Sequence, residues 1–446
     1  MAAASDQNPR TKRTRPLPFL LHDRALGNIA PCGFFRYLAS CHASSVSLLD
    51  KPDIASCHKS GIPSLCMDST EHRYLLAGGL DGVISIYDLL RGDDDQRHKA
   101  IAQSMRMPAT SNRGHSSSIV AAQWYPTDTG AFCSAAKDGT VLVWDTHSMR
   151  PVVKWNPIQS ISCLALSQSS GRSESLVAIG SSDGEERRVQ LLDIRSGGAS
   201  HSLWGHTHGI TRVQWSPTCD VVVMSGSMDG SIRLWDIRKS GSRAALAVLN
   251  RDTRELPTSR QYRGDYSHLV LKTQTSPNHH ANDDAIMSHG GPISSMSFTP
   301  DGHYVVSTGR DAKLQVWDLR TNAHLMALQF QGDHGPPIST ISGNSSNNNI
   351  PLLVLQHGEK AIAWVGYNRT ILGYNVHMGG KPVFRLQGHL DNVTSLERMG
   401  QFFGFISGGM DGMILLWGRK ASNGQPLQPS GMASRSALGK RGYSRT

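Results

Sequence analysis

Residues 205–238 read GHTHGITRVQWSPTCDVVVMSGSMDGSIRLWDIR. The apolar runs are short, rich in β-branched residues and separated by turn residues. Asp229-Gly230 is a hairpin signal, because glycine accepts the positive φ that tight turns demand. The same grammar recurs along the chain. Gly114-His115 leads through Gln123-Trp124-Tyr125-Pro126 and Ser134 to Asp138-Gly139 and Trp144-Asp145. His289 leads through Phe298-Thr299-Pro300 and Ser307 to Asp311 and Trp317-Asp318, and Gly388-His389 through Ser407 to Asp411-Gly412 and Trp417. From His to Trp the four copies span 29, 29, 28 and 28 residues, with Ser always 4 before Asp and Asp always 6 before Trp.

Three looser copies follow the same plan. One has His58, Asp81-Gly82 and Tyr87-Asp88, with Ala77 where Ser is expected, so its polar set lacks both Ser and Trp and should not close. Another has Asp183-Gly184 and Leu192-Asp193, stretched by Glu185–Arg188. The last has His334 and Tyr374-Asn375 and no Asp turn. Seven units of about four short strands each make an all-β repeat fold. One such unit cannot bury its apolar faces alone, whereas stacked neighbours can.

Composition agrees. The 446 residues are 38% apolar and 18% charged, with 44 glycines, which is too little charge and too much glycine for a helical bundle. No apolar run nears the roughly 20 residues that span a bilayer. The apolar stretch Leu17–Leu21 is too short for a signal peptide. The 7 cysteines contain no CxxC pair, which argues for reduced thiols and against a zinc site or disulfide framework. Net charge is +10, but residues 1–60 hold 8 basic and 4 acidic residues, residues 419–446 hold 6 and 0, and the body between holds 31 of each. A balanced body gives no support for direct, sequence-specific nucleic-acid binding, although basic ends could attract phosphate weakly.

These segments resemble WD repeats, and the resemblance covers about residues 46–418 as a seven-bladed β-propeller. It implies that His115/Ser134/Asp138/Trp144, His206/Ser225/Asp229/Trp235, His289/Ser307/Asp311/Trp317 and His389/Ser407/Asp411/Trp417 are buried hydrogen-bonded tetrads. A Ser, His and Asp could also suggest nucleophilic catalysis. Four recurrences favour a scaffold, since a catalytic set is needed once. Labelling by a serine activity probe would speak for chemistry. No GxxxxGK[ST], HExxH or GxSxG occurs, so no catalytic residue, metal or cofactor is expected. Trp124, Trp215 and Phe298 are expected in the core between blades.

A sharper resemblance rests on AQWYPTDTGAFCSAAKDGTVLVWDT (122–146), YLLAGGLDGVISIYDL (74–89) and LWDIRKSG (234–241). These are similar to the Cockayne syndrome group A family, and most similar to its plant members. The family's role implies a nuclear, non-catalytic substrate receptor of a cullin-RING ubiquitin ligase in transcription-coupled nucleotide-excision repair. Its implied partners are the large subunit of the UV-damaged-DNA-binding complex as adaptor, the ligase itself, and repair or transcription proteins as substrates. The family places an adaptor-binding Arg two positions after the terminal dipeptide, which here gives Arg195, Arg238 and Arg320. Each could equally pair with an acid of its own blade. The other binding reading is a general WD-repeat scaffold for chromatin or RNA complexes without ligase attachment.

The remaining segments are assigned as follows. Residues 1–44 form an N-terminal extension for adaptor docking, with Phe34, Phe35, Tyr37 and Leu38 on a possible helix face and Pro9, Pro16, Pro18 and Pro31 interrupting any long helix. Arg10, Lys12, Arg13 and Arg15 resemble a nuclear-import cluster or are simply a basic tail. Residues 45–418 are the propeller, in which Ser45–Asp50 should complete the last blade. Residues 240–288 are an inserted loop between the fourth and fifth blades, and 419–446 are a disordered basic tail.

Overall fold

Each repeat folds into one antiparallel sheet of four strands. The computed structural model describes residues 46–49, 53–90, 97–104, 106–107, 114–167, 175–181, 187–239, 244–249, 287–330, 350–357, 360–399 and 404–419. Among them there are strands and turns but no α-helix. The first blade comprises Ser64–Met67, Tyr74–Gly78, Ile84–Asp88 and Ala100–Gln103, and the second Ile119–Trp124, Ala131–Ala136, Val141–Asp145 and Arg150–Trp155. The third comprises Ile161–Leu166, Leu176–Ser181, Arg188–Asp193 and Gly198–Trp204, and the fourth Ile210–Trp215, Val222–Ser227, Ile232–Asp236 and Ala245–Leu249. The fifth comprises Ile293–Phe298, Tyr304–Gly309, Lys313–Asp318 and Ala323–Gln329, and the sixth Leu352–His357, Lys360–Tyr367, Thr370–Asn375 and Phe384–Gln387.

The seventh blade takes Val393–Arg398, Phe405–Gly409 and Ile414–Arg419 from the end of the repeat region, and its outer strand from Val46–Leu48. Val46 lies opposite Arg419 and Leu48 opposite Trp417. The short alternating run before the first repeat therefore clasps the ring shut and covers an edge that would otherwise offer unpaired backbone groups. Just after it, Asp53–Ile54 pairs in parallel with Arg97–His98 of the first blade's outer connection.

The core lies between blades. Ala165, Val213, Trp215, Val223 and Trp235 form one buried cluster across the third and fourth. Trp124, Trp215 and Phe298 are buried there as expected, and Trp215 also donates its indole N–H to the Ala165 carbonyl of the preceding blade, at 3.0 Å. A second seam contact repeats. The Gln123 side-chain carbonyl accepts from the Leu166 N–H at 2.8 Å, Gln214 from Phe298 at 3.3 Å, and the Glu397 carboxyl from Met67 at 3.5 Å. Each fastens one inner strand to the next.

Two boundaries need correction. Part of the expected insertion at 240–288 is structure: Ala245–Leu249 is the fourth blade's outer strand, pairing Leu234 with Ala247. Its small and apolar residues lie against a half-covered sheet face, which a reading of polar composition overlooked. Ser288, at the other end, is fully buried, accepts from the Ile232 N–H and donates to the Leu249 carbonyl. The last strand also takes in Arg419, which pairs with Val46. The expectations for residues 1–44, for the rest of the insertion at 250–286, for the tail from 420, and for Asp183-Gly184 and His334 lie outside the described residues.

Candidate functional site

The polar sets come first, because they decide between chemistry and scaffold. In the fourth blade His206 Nδ1 is 3.1 Å from Asp229 Oδ2, its Nε2 is 2.7 Å from Ser225 Oγ, and Trp235 Nε1 donates to the same Oγ at 2.7 Å. The proton order follows from the donor inventory. Trp can only donate and the carboxylate can only accept, so Ser donates to Nε2 and Nδ1–H donates to Asp. The fifth blade repeats this, with His289 to Asp311 at 3.1 Å, to Ser307 at 2.8 Å, and Trp317 to Ser307 at 3.0 Å. So does the seventh, with His389 to Asp411 at 3.2 Å, to Ser407 at 2.7 Å, and Trp417 to Ser407 at 2.7 Å.

The second blade inserts a hydroxyl. His115 Nε2 meets Ser134 at 2.6 Å and Trp144 donates to Ser134 at 2.7 Å, but Nδ1 meets Thr140 Oγ1 at 2.7 Å, which donates on to Asp138 at 2.5 Å. His115 and Asp138 are themselves 3.8 Å apart.

The first blade corrects the expectation that its set cannot close. His58 Nε2 meets Ser85 Oγ at 2.7 Å, and Nδ1 lies 3.4 Å from Asp81. Ser85 sits directly opposite Ala77 in the sheet, so the hydroxyl has moved to the cross-strand neighbour of the usual position. Tyr87 stands in place of Trp, and its hydroxyl accepts from the Cys57 N–H at 3.2 Å.

Electrostatics fits neutral imidazoles beside ionised carboxylates. Burial pushes His206 and His389 down, against the pull of Asp229 and Asp411. Burial would raise Asp138 and Asp229, but hydrogen bonds from the facing His, Thr140 or Ser231 and backbone N–H groups hold both well below the usual carboxylate range. Ser134, Ser225, Ser307 and Ser407 are 0% exposed. A nucleophile sealed in the core and already spending both hydrogen-bonding roles offers a substrate no approach, so these sets are scaffold.

The turn Asp also accepts backbone N–H groups on both sides. Asp229 takes those of Thr207 and Ser231, and Asp411 those of Leu390 and Met413. His-bearing connections and Asp turns therefore share one end of the ring, the turn face. The third strand of each blade then runs five or six residues to the opposite end, about 17–20 Å away at ~3.3 Å per residue.

On that opposite face one backbone geometry recurs. The residue two after the acid or amide that closes each terminal dipeptide donates its N–H to that acid or amide side chain. Leu90 donates to Asp88 at 3.0 Å, His147 to Asp145 at 3.1 Å, Arg195 to Asp193 at 3.0 Å, Arg238 to Asp236 at 3.0 Å, Arg320 to Asp318 at 2.8 Å and His377 to Asn375 at 2.9 Å. All six side chains are exposed. Arg195, Arg238 and Arg320 thus occupy equivalent places on three consecutive blades and are flanked by His147 and His377. Sequence spacing found the arginines but not the histidines, because it searched for one residue type rather than one turn. Arg238 also forks onto its own Asp236, with Nε to Oδ1 at 2.9 Å and Nη2 to Oδ2 at 2.7 Å, so the intrablade partner is real. Its side chain nevertheless stays 65% exposed; Arg320 is 70% exposed, with a looser 3.8 Å contact to Asp318.

Back on the turn face, the central channel opens in a cavity of about 350 Å³. Its rim is set by the residues immediately before the turn Asp: Leu80, Lys137, Met228, Arg310 and Met410. Spacing alone could have found them, since each precedes a motif Asp by one residue. Among the described residues no cluster of His, Cys, Asp and Glu could hold a metal ion, and no helix is long and apolar enough to cross a membrane.

The WD domain, G-beta repeat model matches residues 52–88, 107–145, 197–236, 284–318 and 380–418. The third and sixth blades, whose polar sets are the most degraded in sequence, are largely outside these matches. A WD repeat-containing protein of Arabidopsis thaliana named ATCSA-1 is 26% identical over 439 residues, 89% of this chain and 94% of its own length. Radiation-sensitive protein 28 of Saccharomyces cerevisiae is 24% identical over 46% of this chain and 38% of its own. A ribosome biogenesis protein WDR12 homolog of Chlamydomonas reinhardtii is 28% identical over 41% of this chain and 43% of its own. With five matched repeats, seven blades and sealed polar sets, the chain is a seven-bladed WD-repeat β-propeller that acts as a non-catalytic scaffold.

Proposed function

We propose that this propeller is the substrate-recognition subunit of a cullin-RING ubiquitin ligase. It acts in the nucleus, in transcription-coupled nucleotide-excision repair and the response to ultraviolet damage. The observation that carries this reading is the similarity to ATCSA-1, which runs along 89% of the chain instead of being confined to a few repeats. The arc of Arg195, Arg238 and Arg320 supports it. A guanidinium keeps its planar fork of donors in a desolvated contact and still serves an intrablade acid, which suits it to a protein interface. The adaptor is the large subunit of the UV-damaged-DNA-binding complex, held against this arc. The opposite face holds the client, and catalysis is by proximity: the client's lysines meet a charged conjugate at raised effective concentration.

The test is affinity purification after ultraviolet exposure with wild type, Arg238→Ala and the triple Arg195→Ala/Arg238→Ala/Arg320→Ala variant. The adaptor is expected with wild type, reduced with Arg238→Ala and lost with the triple variant, at unchanged melting temperature. Undiminished adaptor recovery from the triple variant refutes the arc as docking site. Recovery of ribosome-assembly or chromatin proteins without any ligase subunit favours the second reading, a general scaffold, to which the ribosome biogenesis relative points.

A further inference from the structure

Arg212 stands where the fold otherwise keeps a small residue. In five inner strands the ladder shifts register after the first residue, and the residue two further on faces the position three before the turn Asp. There Ala121 faces Ala135, Cys163 faces Gly180, Ser295 faces Thr308 and Ser395 faces Gly408. In the fourth blade Arg212 faces Gly226. Its guanidinium lines the central cavity and makes one side-chain hydrogen bond, from Nε to the Ser294 carbonyl of the next blade at 3.3 Å. Its Nη groups have no partner among the described residues. Burial pushes this guanidinium down, so the charge destabilises the site unless an anion meets it.

No carboxylate does so. Among the described residues no Asp or Glu lines the cavity. Two further cations reach the same space from other blades: Lys137 of the second and Arg310 of the fifth, both exposed. The acids beside them are turned away. Asp138 accepts the N–H groups of Ser116 and Thr140, and Asp311 faces His289 and accepts those of Gly290 and Lys313. Positive side chains from three blades thus share about 350 Å³ without a counter-charge.

We propose that this cavity binds a soluble, compact, multiply phosphorylated small molecule of the inositol polyphosphate class, with one phosphate forked by Arg212 and others met by Arg310 and Lys137. The volume suits a small molecule and not a polymer. A guanidinium engages two phosphate oxygens at once, and such charge-assisted bonds are strong. Several charges on one small frame answer cations that stand on separate blades. Bound there, the ligand ties the second, fourth and fifth blades together across the axis, a bracing role that does not rest on the receptor reading.

Isothermal titration of the full chain with inositol hexakisphosphate tests this, with neutral myo-inositol as comparison probe. The hexakisphosphate is expected to bind and myo-inositol to give no heat. Arg212→Met and Arg310→Gln should each weaken binding at least about tenfold. Arg310 is exposed, so its replacement probes the site without touching the core. Without ligand, Arg212→Met should melt at or above wild type, because an unpaired charge has gone; the ligand should raise the melting temperature of wild type but not of this variant. The basic N-terminal segment is the competing attractor, so Arg10→Gln/Lys12→Gln/Arg13→Gln/Arg15→Gln serves as control and should bind as wild type does. Undiminished binding by Arg212→Met and Arg310→Gln, or loss of binding in the control, means an adventitious ion only and overturns the proposal. Vesicles of nineteen parts phosphatidylcholine to one part phosphatidylinositol bisphosphate should not capture the protein. Capture that Arg212→Met abolishes would make the ligand a lipid headgroup and overturn the soluble one.

Discussion

Glu397, near the end of the seventh blade's inner strand, accepts from the Met67 N–H of the first blade at 3.5 Å, the contact that Gln123 and Gln214 make through amides at two other seams. Burial lifts its carboxyl to about 8, opposed by the Met67 N–H and by Arg398. The neighbouring Cys66 thiol is pushed up by burial and, after that, by Glu397 itself. A protonated carboxyl resembles the amide it replaces; an ionised one is stranded in the seam.

The folded value lies above the ordinary 4.5, so the folded state favours the protonated form. That contribution is complete below about pH 4.5 and is lost as pH rises through about 8. Glu397→Gln should therefore match wild type near pH 4.5 and exceed it by about 1–3 kcal/mol near pH 9. Thermal melts of both proteins across that range decide it; a constant gap between them would mean that this carboxyl does not titrate with folding.

Ser225 carries two partners, the Trp235 indole and His206 Nε2. Ser225→Ala leaves a buried donor and a buried acceptor unmet, an expected loss of about 1–3 kcal/mol. Denaturant midpoints at neutral pH measure it, and a loss below a few tenths of a kcal/mol would show that the blades are not locked by these contacts.

Glycine stands two residues before the turn Asp in the blades where no hydroxyl bonds His Nδ1, as at Gly79, Gly309 and Gly409, while Ala136 and Ser227 stand there where Thr140 or Ser231 contributes one. A Cβ on Gly309 would come within 2.6 Å of both Asp311 Oδ1 and His289 Nδ1. Gly309→Ala should cost about 1–3 kcal/mol, as overpacked sites do. Adding Lys313→Thr, which restores the hydroxyl bridge of the second blade, should recover a measurable part. Additive effects in the double variant, seen in chemical denaturation, would break the link between glycine and bridge.

Leu48 is paired with Trp417 across the clasp, and Leu49 donates its N–H to the Leu416 carbonyl at 2.9 Å. Replacing Val46 and Leu48 by Asp should loosen that outer strand. Expected results are a lower melting temperature and faster backbone hydrogen exchange in Ile414–Arg419, while the fourth blade keeps its protection. Uniform exchange across all blades would contradict a local clasp.

The blades were legible because burying a Trp indole N–H needs the same Ser, His and Asp at the same places every time, and that requirement survives as fixed spacing. The first blade escaped the template because its hydroxyl, on Ser85, lies across the sheet from Ala77, a neighbour in register and not in spacing. Ala245–Leu249 was hidden by the polar stretch after it. The Gln123, Gln214 and Glu397 seam contacts were one step from view, since each polar residue falls at the same late position of its inner strand. Their bonds cross to another blade, however, and no linear reading names the partner. The ring of six turn positions opposite the channel mouth was half seen, as three arginines.

The edge strand supplied by Val46–Leu48 has a temporal consequence. Ribosomes emit it first and the hydrogen-bonding neighbour it awaits, Ile414–Arg419, some 370 residues later, roughly 20–75 s at 5–20 residues per second. Throughout that interval the newborn leading segment has no sheet to join. A chain that stalls before its final repeat carries an exposed apolar flank, and cellular quality control can read that flank as the mark of an unfinished product.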